Sequence, residues 1–256
     1  MTPPKATPQQ LRAMKGRTPI AALTAYDFTM TRLLDEEEIP LILVGDSLGM
    51  VVLGYANTTS VTMTEMEYHV RAAARAKPRA LLAADLPYKS YDSVEEAVRN
   101  AKRLRAAGAE AVKAEGGRSI LPQIQAIVAE GIPVIGHLGM LPQHVLEEGG
   151  YRTKGETEAE RQALLLDAAA LAGAGAFAIV LELVNPDAAA AITRACPVPT
   201  IGIGSGPGCD GQILVSTDLL GTFPWFIPKF VKPQLDAAAQ MRRTIRDWKK
   251  SLSAGA

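Results

Sequence analysis

The chain has 256 residues, 48% hydrophobic, 21% charged and 5% aromatic, with 27 basic and 27 acidic side chains that cancel to a formal net charge of zero. That length suits one large α/β domain, and the neutral balance leaves no basic face for nucleic acid or an anionic membrane. Aromatic residues are too sparse for a base-stacking surface.

The opening "MTPPKATPQQ" lacks the apolar core of a signal peptide, and no window reaches the roughly 18 apolar residues of a membrane span. The two cysteines, Cys196 and Cys209, make neither a disulfide framework nor a zinc site. A cytoplasmic protein with reduced thiols is expected.

In chain order, "TPQQLRAMKG" (7–16) reads as a short first helix. Apolar runs follow at 20–27, 39–46, 79–87, 109–117, 132–139, 176–183, 198–206 and, less clearly, 211–221. Helical segments separate them. Their starts carry capping-box spacing at Thr62/Glu65, Asp92/Glu95 and Thr157/Glu160, and their stops fall at Lys77-Pro78, Ala107-Gly108 and Gly131. The stretch from Pro233 to Trp248 reads as a terminal helix.

Continuous apolar strands alternating with helices imply a parallel sheet, and about eight such units in this length match a closed (β/α)8 TIM barrel. We expect a single barrel domain over 1–256, with the short first helix and a C-terminal helix added. An open doubly wound sheet is the alternative, but its strand–GxGxxG–helix fingerprint is missing.

Polar residues recur where the strands end. Asp46 closes the second run, Asp85 the third, Lys113 and Glu115 the fourth, His137 the fifth and Glu182 the sixth. The carboxyl ends of barrel strands meet at one mouth, where such folds place their chemistry. Singly, each residue has a plainer explanation. Asp46 would serve as a helix cap, Asp85 as a turn anchor, Lys113 and Glu115 as a same-face ion pair, and His137 as a core histidine. Glu182, flanked by leucines, is harder to bury without a partner. Five adjacent strands with the same polar ending are not five accidents.

Clustered acids suit a hard cation such as Mg2+ and, with the lysine, chemistry on an anionic oxo substrate. There the metal would stabilise an enolate and a separate acid such as Glu182 would move the proton. The late "GIGSGPG" (202–208) is either a phosphate cradle or a tight turn. His69 and His144 are expected to be surface or packing residues.

The segments "VGDSLGM", "ADLPY", "VKAEGG", "GHLGMLPQ", "VLELV", "IGIGSG", "CDGQILV" and "PKFVK", in this order, resemble the ketopantoate hydroxymethyltransferase (3-methyl-2-oxobutanoate hydroxymethyltransferase) family. The resemblance runs from about Thr18 to Lys232. It implies a barrel of the phosphoenolpyruvate/pyruvate type that transfers a hydroxymethyl group from 5,10-methylenetetrahydrofolate to 3-methyl-2-oxobutanoate, giving 2-dehydropantoate in pantothenate biosynthesis. It further implies Mg2+ on Asp46, Asp85 and Glu115, substrate contacts from Asp46, Ser47, Asp85, Lys113 and His137, and Glu182 as catalytic base. A homo-oligomer, specifically a decamer, is implied by the same resemblance. A related lyase or mutase acting on another 2-oxo acid is the nearest rival, and a catalytically silent barrel a more distant one.

Overall fold

The structure is a computed structural model that describes residues 4–254. It begins with helix α1 (Pro8–Met14), strand β1 (Ile20–Thr24), α2 (Phe28–Glu36), β2 (Leu41–Val44), α3 (Leu48–Val51), α4 (Met63–Ala74) and β3 (Leu81–Asp85). It continues with α5 (Val94–Ala107), β4 (Ala111–Glu115), α6 (Leu121–Ala129), β5 (Val134–Gly139), α7 (Glu158–Gly173) and β6 (Ala178–Glu182). Last come α8 (Pro186–Ala195), β7 (Thr200–Ile203), β8 (Gly211–Leu214), α9 (Ser216–Leu220) and α10 (Ala237–Ala254).

Strands β1 to β8 close into a barrel in sequence order. Each pairing resolved between neighbours from β1 to β8 is parallel. The open doubly wound alternative is therefore excluded.

Period-two alternation sorts the strand residues into two buried sets. Ile42, Val44, Leu82, Ala84, Val112 and Leu181 pack with helix residues such as Met66, Leu104 and Ile127. Ile20, Leu41, Leu43, Leu81, Ile135 and Val180 pack with one another and with Leu11 of α1, filling the barrel. The same alternation fixes what comes next on each strand. After Leu81 and Ala83 the inward series reaches Asp85. After Ala111 it reaches Lys113 and Glu115, after Ile135 it reaches His137, and after Ala178 and Val180 it reaches Glu182. The barrel is thus apolar at its amino end and polar at its carboxyl end.

Local signals set the helix ends. Thr62 and Glu65 form a reciprocal capping box at α4, and Thr7 with Gln10 does the same at α1. Thr157 caps α7 by accepting from the Glu160 N–H, but the Glu160 carboxylate turns to the N–H of Glu156 and the box does not close. At α5 the cap is Ser93 with Glu96, one residue beyond the expected Asp92 and Glu95. A serine hydroxyl at that step reaches the N3 N–H as well as an aspartate does. Gly108 ends α5 in the left-handed conformation (φ 116°), which only glycine takes readily.

By density of internal contacts the chain divides into two compact units, Met1–Ile213 and Leu214–Ala256. Within the second, α9 ends on Gly221 (φ 64°), where a Cβ would lie 2.2 Å from the Leu235 carbonyl oxygen. The terminal helix starts at Ala237, later than the expected Pro233, and continues past Trp248 to Ala254. Met241, Ile245, Trp248 and Leu252 are exposed along it.

Candidate active site

The six strand-end residues expected to meet do meet. Lys113 and Asp85 are partners in the β3–β4 register, and Glu115 and His137 in the β4–β5 register. The Lys113 ammonium lies 3.0 Å from Asp85 Oδ1 and 3.9 Å from Glu115 Oε1. His137 Nδ1 lies 3.4 Å from Glu115 Oε1, and His137 Nε2 lies 3.3 Å from Glu182 Oε2. All are buried except Glu182, whose side chain keeps 14% of its exposure and forms the open end of the chain of contacts.

Asp46 follows β2 by two residues, across Gly45. Its backbone N–H donates to Asp85 Oδ2 at 3.0 Å, and its Oδ2 accepts from the side-chain amide of Gln143 at 2.8 Å. The carboxylate is not a helix cap. The α3 cap position belongs to Ser47, which makes no side-chain capping bond there. Ser47 Oγ is instead 2.9 Å from the Tyr26 hydroxyl, which accepts from Thr24 Oγ1 at 2.8 Å.

Four carboxylates therefore face one ammonium and one imidazole, and the electrostatics follow from that imbalance. Burial drives the Asp46 carboxyl well above the usual carboxylate range, and the charges of Asp85 and Glu115 push it further. Burial also works against the Lys113 ammonium, but Asp85, Glu115 and Asp46 outweigh it and hold the proton more firmly than usual. Glu115 is pulled below its ordinary value: burial opposes ionisation, and His137 and Lys113 overcome it. For His137, burial and Lys113 disfavour the proton, Glu115 and Glu182 favour it, and the balance rises to about 9. Its Nδ1 is also 3.1 Å from the Lys113 ammonium. An ammonium only donates, so that contact belongs to the neutral ring; in the cationic ring Nδ1–H faces Glu115.

Asp85 Oδ1, although paired with Lys113, and His137 Nε2 both lack a well-aimed hydrogen bond while fully buried. Unspent carboxylate charge and unspent polar atoms fit a hard divalent cation together with an anionic substrate. Among the described residues, no group of three or more His, Cys, Asp or Glu side chains is arranged to hold a metal ion by itself. The acids fit a cation that takes one or two carboxylates and completes its shell from water and substrate oxygens.

The loop after β7 is a packed turn. Ser205 Oγ donates to the Leu181 carbonyl at 2.7 Å and accepts from the Val184 N–H at 2.9 Å. Gly206 (φ 75°) sits where a Cβ would lie 2.9 Å from Pro186. Ser205 thus staples the residues on either side of Glu182. His69 Nδ1 is 2.7 Å from the Tyr26 carbonyl, and His144 pairs with Glu147 at 2.6 Å; neither reaches the cluster.

Sequence reasoning missed Gln143, Tyr91 and Tyr26 as parts of the site. Gln143 lay inside the quoted "GHLGMLPQ", but neither tyrosine carried any local signal.

The ketopantoate hydroxymethyltransferase family description matches residues 5–256. The 3-methyl-2-oxobutanoate hydroxymethyltransferase of Moorella thermoacetica is 52% identical over 98% of this chain and 94% of its own. Those of Ignicoccus hospitalis and Thermococcus kodakarensis are 49% and 48% identical, covering 96% and 97% of this chain and 93% and 88% of theirs. Among solved structures, phosphoenolpyruvate phosphomutase from Streptomyces platensis subsp. rosaceus superposes with a TM-score of 0.65 at 17% identity, covering 97% of this chain and 88% of its own. Oxaloacetate acetylhydrolase in complex with oxalate gives 0.64 at 17% identity, covering 95% and 86%. These two likenesses show a shared fold. No helix among the described residues is long and apolar enough to cross a membrane. With a strand-end cluster of this composition, and relatives this similar over nearly their whole length, the chain belongs to the ketopantoate hydroxymethyltransferase family of enzymes.

Proposed function

We propose that the chain transfers a hydroxymethyl group from 5,10-methylenetetrahydrofolate to 3-methyl-2-oxobutanoate, giving 2-dehydropantoate, with Mg2+ at the acidic cluster. The observation that carries this reading is the continuous contact chain from Asp46 through Asp85, Lys113, Glu115 and His137 to Glu182. It joins a cation-hungry end to a half-open carboxylate at the other.

Among Asp46, Asp85 and Glu115, one or two carboxylates would hold Mg2+ directly and the rest through its water shell, and the bound ion would supply Lewis-acid charge neutralisation at the substrate's oxygens. Lys113 adds a fixed positive charge in a site shielded from water, so the oxo acid's carboxylate and keto oxygens are drawn to this end. Ser47, fixed by Tyr26, offers a hydroxyl beside them. The C3 proton of the substrate is then directed towards Glu182, and the electron pair of that C–H bond passes into the enolate. His137, whose Nε2 lies 3.3 Å from Glu182 Oε2, holds that carboxylate in place. The enolate carbon bonds to the folate methylene carbon, water's hydroxyl takes the remaining place as both carbon–nitrogen bonds break, and the two nitrogens take up the proton lost from C3 and the one left from water, releasing tetrahydrofolate. From composition and the unbroken run of strand–helix units we take the enzyme to be cytoplasmic and a single catalytic domain, and from the family resemblance a homo-oligomer, with the decamer as its proposed size.

A coupled assay with 3-methyl-2-oxobutanoate, methylenetetrahydrofolate and Mg2+ tests the proposal. Folate-dependent 2-dehydropantoate formation, abolished by EDTA and by Glu182→Gln, is expected. Absence of that product, or turnover that survives both treatments, overturns it.

A further inference from the structure

Gln143 follows Pro142 in a 3₁₀ turn beyond β5, yet it is only 2% exposed and touches three other strand ends. Its backbone N–H donates to Glu115 Oε2 at 3.0 Å. Its side-chain Nε2 donates to Asp46 Oδ2 at 2.8 Å and to the Leu86 carbonyl at 2.9 Å. Its Oε1 accepts from the Tyr91 hydroxyl at 2.6 Å. Every polar atom of the side chain is spent, and none on solvent.

The Tyr91 contact decides the sense of the amide. The phenol has one proton: its shorter contact is Gln143 Oε1 at 2.6 Å, the Glu115 carbonyl is a second acceptor at 3.2 Å, and the Glu115 N–H donates to the phenol oxygen at 3.3 Å. With Oε1 so committed, Nε2 must face Asp46 and Leu86. Turned by 180°, the amide would set its oxygen against a carboxylate and a carbonyl, both pure acceptors, and strand two buried donors. Tyr91 itself is anchored by burial between the strand ends.

Gln143 therefore takes one oxygen from each of two acids. Asp46 Oδ2 and Glu115 Oε2 are bound to it, so Asp46 Oδ1 and Glu115 Oε1 are the oxygens it leaves facing the cluster, Glu115 Oε1 lying there 3.4 Å from His137 Nδ1 and 3.9 Å from the Lys113 ammonium. We infer that the Tyr91–Gln143 pair is a positioning device that sets which carboxylate oxygens of Asp46 and Glu115 are presented to the divalent cation. The inference rests on the proposed metal role of these acids, and it assigns to Gln143 and Tyr91 a part that no strand-end pattern suggests.

The test is Mn2+ binding to the resting protein, without substrates, by titration calorimetry and by the electron paramagnetic resonance of free Mn2+. Gln143→Met keeps the length of the side chain but loses its donors and acceptor; Tyr91→Phe keeps the glutamine but frees its amide to turn. Loss of a partner that orients a metal ligand weakens affinity by about 10- to 100-fold, and that range is expected for Gln143→Met, with a smaller loss for Tyr91→Phe and altered hyperfine lines in both. The far-ultraviolet circular dichroism of each variant should match the parent. A folded Gln143→Met or Tyr91→Phe protein that binds Mn2+ within twofold of the parent overturns the inference while leaving the metal reading intact. A parent that binds no Mn2+ overturns the metal reading first, and the inference with it. If Gln143→Met does not fold, the Tyr91→Phe result alone decides.

Discussion

Gly139 and Glu182 face each other across the β5–β6 register, and a Cβ on Gly139 would lie 2.2 Å from the Glu182 carbonyl oxygen. Gly139 also has a φ of 96°, in the region that side chains avoid. The Met140 N–H donates to that same carbonyl at 2.7 Å, so the two strand ends are locked together. The position of the proposed base thus depends on a missing side chain on the neighbouring strand. Gly139→Ala must push β6 outward at its last residue. A displacement near 1 Å at a reacting group costs about 100-fold in rate. The expected result is a kcat about 100-fold lower with the KM for the oxo acid little changed, measured by steady-state kinetics. A kcat within threefold of the parent would show that Glu182 is not held this way.

Lys113 and Asp85 form a buried pair, with side-chain exposures of 6% and 3%. Removing one partner of such a pair strands the other charge and costs about 3–5 kcal/mol. Lys113→Met is expected to lower stability by that amount in urea unfolding. The double variant Lys113→Met/Asp85→Asn should recover part of the loss, because no buried charge is then left alone. Strictly additive losses would mean that the pair is not coupled.

Outside the cluster, burial raises the Asp218 carboxyl to about 6. In the unfolded chain an aspartate titrates near about 3.9, so between these values the folded state binds the proton more tightly. Stability tied to this proton is complete below the unfolded value and is lost as pH rises through about 6. Asp218→Asn, which cannot ionise, should gain on the parent between pH 4 and 7 and keep a constant lead above that. Urea midpoints across this range provide the check, and a stability gap that does not vary with pH would contradict it.

The barrel and the strand-end acids were legible in the sequence for one reason: a strand alternates with period two. Leu81-Leu82-Ala83-Ala84-Asp85 puts Asp85 on the interior series whatever the rest of the chain does. The capped helix starts near Thr62, Asp92 and Thr157 were readable within a residue, and the slip from Asp92 to Ser93 reflects two adjacent residues able to make the same capping bond, whereas the terminal helix begins at Ala237, four residues after the expected Pro233. What stayed hidden depends on contacts distant in sequence. Gln143 reaches Asp46 across 97 positions, and Tyr91 reaches Gln143 across 52. No local period marks either. Ser205 looked equally suited to a phosphate loop until its hydroxyl was found between Leu181 and Val184.

The central claim is that Glu182 removes the C3 proton of the oxo acid. Exchange of that proton for deuterium, followed by proton NMR on 3-methyl-2-oxobutanoate in D2O with Mg2+ and no folate, tests it most directly. Positioned general bases contribute about 100- to 10,000-fold. The parent protein is expected to exchange the C3 position, and Glu182→Gln to slow that exchange by a factor in this range with Mn2+ binding unchanged. Exchange by Glu182→Gln at the parent rate, or no exchange by the parent at all, would contradict the account.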